Sequence, residues 1–241
     1  MIKANKRNVL MLVSNTGVSP VTSWPVGFWW AELSHAWLEF TNAGYNVTIA
    51  SPNGGAVEAD VWSDPEHDAG YAANDIVSQG FKTLPRTSEL LRNTPALAAL
   101  DMDQFDAVFI VGGQGPMVTM IEDDALHACI ARHFEAERIL AAVCHGTCVL
   151  LKIRLLNGDL LVNGRTWTGF ANSEEQYAEA AAGTKIQPFW IETEARKIEG
   201  TNFVTAGPLA TFAVRDGNLI TGQQQNSSGA AAKLVVAAVG S

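Results

Sequence analysis

Cysteine is scarce in this chain: three residues in 241, an odd number, with no Cys-x-x-Cys pair. That excludes a disulfide framework and fits a reducing compartment. Positive charge is also in deficit. The 16 Lys and Arg face 25 Asp and Glu, a formal net charge of −9, which argues against nucleic acid or an anionic membrane as partner. No uninterrupted apolar stretch approaches the ~18–20 residues that a membrane span needs. The apolar run Val9-Leu10-Met11-Leu12-Val13 follows Lys3, Lys6 and Arg7 but stops at Ser14-Asn15, too short for a signal-peptide core. The expectation is a soluble, cytoplasmic protein. Internal repeats and low-complexity linkers are missing too, which predicts one domain over residues 1–241.

What is present is enough apolar material for a full core, 47% of the residues. Residues 9–13 form a run with no polar face and a turn after it, the pattern of a buried parallel strand. Residues 27–42 read as a helix that stops at Gly44, and 45–50 as a second strand closed by Ser51-Pro52-Asn53-Gly54-Gly55. Residues 56–100 are less regular. Asp60, Asp64, Glu66 and Asp68 suggest a surface loop, with short helices near 72–78 and 88–100, so this stretch reads as a cap or insertion over the sheet. Beyond it come a strand at 105–111, a helix at 123–137, a strand at 138–143 and a helix-like run at 147–156. Short strands are expected at 160–162, 166–168 and 203–205, with a helical stretch at 188–199 whose Ile, Thr and Trp content leaves a strand as the alternative. Residues 212–214 and 219–221 flank Asp216-Gly217 as a hairpin, and a helix at 228–239 closes the chain. Strands alternating with helices predict an α/β fold with a mostly parallel central sheet covered on both faces.

The chemistry centres on Ala142-Val143-Cys144-His145-Gly146. A small-x-nucleophile-x-Gly pentapeptide between a buried strand and a helix is a nucleophile elbow, which thrusts its central side chain out where the strand ends. At a helix N-terminus the dipole favours thiolate over thiol, although a free cysteine can also simply fill a core. A nucleophilic thiol wants a base and an orienter for that base. The histidines are His35, His67, His127, His133 and His145, none of them after the elbow, so the downstream His-x-Glu of a glutamine amidotransferase is missing. His145 is the available base. Its orienting carboxylate must come from elsewhere, and Glu174 or Glu175 are candidates, although a Glu-Glu pair is also a common solvated helix start.

Two further features lie near the expected carboxyl ends of the strands, where parallel sheets place their sites. The turn Gly112-Gly113-Gln114-Gly115 lacks the Lys-Ser/Thr of a phosphate loop and the spacing of a dinucleotide fingerprint. Close backbone approach suits it better, with the N–H groups of Gly113 and His145 as an oxyanion hole, or it is only a tight turn. Glu32 sits in Phe28-Trp29-Trp30-Ala31-Glu32-Leu33. Burial among those aromatics would raise its pKa and keep it protonated, whereas helical pattern alone reads it as a surface glutamate. No ligand spacing supports a metal site.

The elbow, the Gly-Gly-x-Gly turn, Ala50-Ser51-Pro52 with Gly54-Gly55, and Thr168-Gly169-Phe170-Ala171-Asn172-Ser173-Glu174-Glu175 together resemble the ThiJ/PfpI superfamily. Within it the chain is most similar to the branch of heat-shock chaperones and glutathione-independent glyoxalases, and Leu219-Ile220-Thr221-Gly222-Gln223 with Ser227-Ser228 extends the likeness. The resemblance implies a flavodoxin-like sandwich, a homodimer, no cofactor, and a small reactive carbonyl compound as substrate. It implies Cys144 as nucleophile, His145 as base, Glu175 as third member with Glu174 as fallback, and Glu32 as the acid beside the sulfur. The turn supplies Gly112, Gly113 and Gln114 to the substrate. Gln114 departs from the Gly-Gly-His-Gly turn of relatives, and a glutamine cannot act as acid or base near neutral pH. The activity implied is conversion of a methylglyoxal-type 2-oxoaldehyde to a 2-hydroxy acid. The rivals are a stress-linked holdase chaperone and a cysteine hydrolase or hydratase (peptidase, amidase or isonitrile hydratase).

Overall fold

The computed structural model describes residues 6–240; Lys3 lies outside them. Its centre is a six-stranded sheet of β1 (Asn8–Leu12), β2 (Asn46–Ala50), β3 (Ala107–Ile110), β4 (Ile139–Val143), β5 (Ala213–Asp216) and β6 (Leu219–Gly222), in the order β2-β1-β3-β4-β6-β5. All neighbours run parallel except β5, which pairs antiparallel with β6 at one edge. Strands β3 and β4 are buried along their whole length because helices cover both faces, which is why they read as unbroken apolar runs. Alternate side chains of one strand feed opposite cores. Leu10 and Leu12 join Val108 and Ile110 on one face, while Val9 and Met11 join Phe109 and Val111 on the other.

Helix α1 (Trp30–Asn42) covers the second face together with the C-terminal helix α5 (Ser228–Val239). Between them in the chain lie α2 (Ile76–Thr83), α3 (Asp124–Glu135) and α4 (Asn172–Ala182). The strand order reverses beside β1: the chain leaves β1 for β2 on one side and then crosses from β2 to β3 on the other. In an open parallel sheet the crevice beyond the carboxyl ends at such a reversal is where sites form. The loop after β1, the glycine turn after β3 and the elbow after β4 all emerge there.

Several expected elements differ. The run after the elbow is a 3₁₀ helix, Cys144–Leu151, that ends five residues early. The Thr147 hydroxyl donates back to the Cys144 carbonyl at 2.6 Å, a local bond that competes with regular helix. Residues 160–162 form a turn with one isolated bridge, Arg154 to Leu160, because Gly158 and Gly164 beside it take positive φ of 88° and 72°. The helix expected at 188–199 is only Ile191–Ala195. In the stretch 56–100 the regular helix begins at Ile76 rather than 72, and short 3₁₀ turns replace the helix expected at 88–100. All three cysteines are free. Among the described residues no helix is long and apolar enough to cross a membrane.

Candidate active site

Cys144 follows β4 directly, and its backbone has φ 53°, the left-handed region that a non-glycine residue occupies only under strain. That geometry turns the chain out of the sheet and holds the thiol at the strand end. Its Sγ lies 3.5 Å from His145 Nδ1. On the other side of the imidazole, His145 Nε2 is 2.9 Å from Glu175 Oε1. If Nε2 carries the proton that it donates to Glu175, the Nδ1 lone pair faces the sulfur, the arrangement a base requires. Phe170 packs against the imidazole with ring centroids 4.2 Å apart and an interplanar angle of 31°. Glu175 reaches the ring from the first turn of α4, where both glutamates are buried rather than solvated.

The adjacent Glu174 has other work. Its Oε2 accepts the Ala171 N–H at 3.0 Å and so closes the start of α4, while Oε1 accepts from Leu209 N–H at 3.1 Å and Gln223 Nε2 at 2.8 Å. The structure brings Glu175, not Glu174, to His145.

Glu32 lies in the first turn of α1 and is fully buried. Trp29 N–H donates to the Gly112 carbonyl at 3.0 Å, and Gly112 N–H donates to Glu32 Oε2 at 2.7 Å, so α1 and the glycine turn are pinned together reciprocally. Burial holds the Glu32 carboxyl up at about 8, despite the bonds from Cys144 and Gly112 that pull it down, so at neutral pH it is a protonated acid against the thiol. Its Oε1 has no hydrogen-bond partner among the described residues. Burial also pushes the Cys144 thiol up, with the neighbouring Glu32 carboxyl adding to it and the His145 N–H opposing. Desolvation thus works against the thiolate expected at the elbow, and outweighs the few N–H groups of a short 3₁₀ turn.

The glycine turn needs its glycines. A Cβ on Gly112 would meet Glu32 Oε2 at 2.5 Å and the Val143 carbonyl at 2.6 Å, and Gly113, at φ +99°, lies against the backbone of Gly27, Phe28 and Trp29. The N–H of Gly112 is spent on Glu32, so it has no role toward a substrate oxygen. Among the described residues the Gly113 N–H donates to none, as an oxyanion donor must. Gln114 is buried and lines the cavity above Cys144, and its buried Oε1 has no hydrogen-bond partner among the described residues.

Asp60 escaped sequence reasoning, which placed it on a surface loop. It is fully buried. Its Oδ1 accepts Gly27 N–H at 3.0 Å and its Oδ2 accepts Gln114 N–H, so one carboxylate ties three loops beneath the turn. Burial raises it to about 7, against the pull of those two N–H bonds and of His145. Nothing in the run of acids at 60–68 singles it out; the only local sign is its place between Ala59 and Val61-Trp62. No group of three or more His, Cys, Asp or Glu that could hold a metal ion occurs among the described residues.

A family model described as ThiJ/PfpI family-like matches residues 25–201. The chain is 24% identical over 254 aligned positions to a Schizosaccharomyces pombe protein named "Probable glutathione-independent glyoxalase", covering 95% of this chain and 97% of that one. Its fold matches a crystal structure of the 24-kDa rapid encystment protein of Francisella tularensis with TM-score 0.86 at 22% identity, covering 98% of this chain and 100% of the other. It also matches glyoxalase III of Candida albicans with TM-score 0.78 at 23% identity, covering 96% and 97%.

Proposed function

The chain belongs to the ThiJ/PfpI-like family, and on that premise we propose that it is a glutathione-independent glyoxalase acting on 2-oxoaldehydes. The observation that carries this reading is the buried relay of Cys144 Sγ, His145 and Glu175, at 3.5 and 2.9 Å, with the buried Glu32 carboxyl also beside Cys144. Isomerising a 2-oxoaldehyde needs a base, an oxyanion hole and an acid that can give a proton back, and a carboxyl near 8 is matched to that last task at neutral pH. Hydrolysis of an ester or amide uses the same three groups, so the named activity of the S. pombe and C. albicans relatives is what favours the isomerisation.

The steps balance without an external oxidant. His145 takes the Cys144 proton as the sulfur adds to the aldehyde carbon, and the new alkoxide is protonated to a hemithioacetal. The Gly113 and His145 N–H groups are the donors we assign to the oxygen on which charge develops. A base removes the proton of the former aldehyde carbon to give an enediol, and a proton returned to the neighbouring carbon yields a 2-hydroxyacyl thioester. Oxidation at one carbon is thereby matched by reduction at the next. Water then cleaves the thioester, releasing the 2-hydroxy acid and the thiol. Glu32 carries its proton beside the sulfur in the resting state and can both lend and recover it. The test is lactate formation from methylglyoxal without glutathione, wild type against Cys144→Ala. Activity in the wild type that disappears in the variant supports the reading; equal activity in both refutes it.

A further inference from the structure

Resting on that reading, we infer that the 2-oxoaldehyde taken up at Cys144 carries an aryl or similarly bulky apolar group in place of the methyl group of methylglyoxal. The cavity over Cys144 and His145 holds about 180 Å³. An apolar cavity of roughly 150 Å³ is large enough to take up benzene. Here the walls are Trp24, Trp29, Trp62, Tyr71, Phe170 and Ile186, and the reacting thiol lies at the bottom. A methyl group would leave most of that wall against water, whereas a six-membered ring fills it.

The aromatic walls are held in place before any ligand arrives. Trp24 and Trp62 lie 6.1 Å apart at 55°, and Trp29 meets Tyr71 edge-on at 6.0 Å and 83°. The Tyr71 hydroxyl accepts from Gln225 Nε2 at 2.7 Å, which ties the loop carrying it to the far side of the opening. Trp62 is 41% and Tyr71 53% exposed, a cost in water that packing within the chain does not explain.

Charge narrows the class further. No lysine or arginine lines the cavity, and its two carboxylates, Glu174 and Glu175, are already engaged with other side chains. A phosphorylated or carboxylated carbonyl compound would enter without a counter-ion, so the substrate is uncharged.

The experiment measures kcat/KM for phenylglyoxal and methylglyoxal without glutathione, in the wild type, Trp62→Ala and Ala178→Leu. Acetophenone and acetone serve alongside as unreactive ligands, read by competition and by tryptophan fluorescence. The wild type is expected to favour phenylglyoxal by at least about tenfold, the scale that a filled apolar pocket gives. The ratio falls toward one when Trp62→Ala opens the wall or Ala178→Leu narrows the cavity. Methylglyoxal used as well as phenylglyoxal, with acetophenone binding no tighter than acetone, overturns the inference and leaves the glyoxalase reading intact. If neither aldehyde is turned over, the glyoxalase reading fails on its own. Acetophenone binding about tenfold tighter than acetone then still supports an aryl pocket, and equal binding overturns it.

Discussion

At the floor of the cavity and beneath it, His145, Glu175, Glu32 and Asp60 are all buried, and each is tied to a partner in another segment of the chain. At the mouth, Trp24, Trp62, Tyr71 and Tyr177 are half-buried or exposed and sit on loops, a short 3₁₀ turn and α4, with Trp24 against Trp62 and Tyr71 against Trp29. The floor is costly to build, since each carboxyl taken from water must find donors or give up its charge. It leaves little freedom of geometry. The mouth is cheap and tolerant, because apolar contact depends on area more than on angle. Reaction type should therefore depend on the floor and substrate choice on the mouth, and substitutions on either side can break that division.

The largest effect belongs to the sulfur. Cys144→Ala should lower kcat for any 2-oxoaldehyde by on the order of 10⁴-fold or more in steady-state assays, as loss of a nucleophile does. A residual rate within tenfold of wild type would remove Cys144 from the reaction. Next is Glu175→Gln, which keeps the shape but no longer fixes the His145 tautomer through the 2.9 Å contact. A drop of roughly 10²–10⁴ in kcat is expected, with phenylglyoxal and methylglyoxal affected equally. A change in their ratio would show that floor and mouth are not separable.

The pH dependence of stability probes the floor without substrate. Glu32 has an ordinary value of 4.5 and is held at about 8 in the fold, while Asp60 rises from 3.8 to about 7. Between those values the native state holds protons that the unfolded chain has released. The contribution to stability is complete below about 4 and is lost as pH rises through 7 to 8. Denaturant midpoints should accordingly fall from pH 5 to pH 8, and less steeply in Glu32→Gln. A midpoint that climbs over this range, or an unchanged slope in the variant, would contradict the burial argument.

Asp60→Asn places an amide N–H₂ opposite the N–H of Gly27 or Gln114. It should cost about 1–3 kcal/mol by urea titration and slow turnover of both aldehydes alike through a loosened turn. The smallest effect is expected at the mouth. Trp62→Ala, at a residue 41% exposed, should shift stability by less than about 1 kcal/mol while altering substrate preference. A large loss of stability there would make the mouth part of the core.

The regular sheet was legible in the sequence because fully buried strands carry no polar face. The expected strand at 45–50 and the observed Asn46–Ala50 differ by one residue, and the terminal helix Ser228–Val239 agrees at both ends. The misplaced elements, at 160–162 and 188–199, are short and lie where turns and tertiary contacts outweigh periodicity. At the site, the elbow announced itself through local chain geometry, and so did the glycine turn. Glu175 and Glu174 could not be told apart by composition, since one residue along a helix rotates the side chain by about 100° and decides which neighbour it meets. Asp60 was hidden for a different reason. Its role comes from N–H groups 33 and 54 positions away, and no local pattern encodes such a meeting. The aromatic mouth was visible as residues but not as a surface, because Trp24, Trp62 and Tyr71 converge only in the folded chain.

The most direct test of the account is acid-quench mass spectrometry of the protein during turnover of phenylglyoxal or methylglyoxal, followed by peptide mapping. The account predicts a single 2-hydroxyacyl group on the peptide that carries Cys144, more abundant in Glu175→Gln than in wild type because His145 then activates water poorly. Turnover with no acyl group on Cys144, or with the adduct on Cys129 or Cys148, would contradict it.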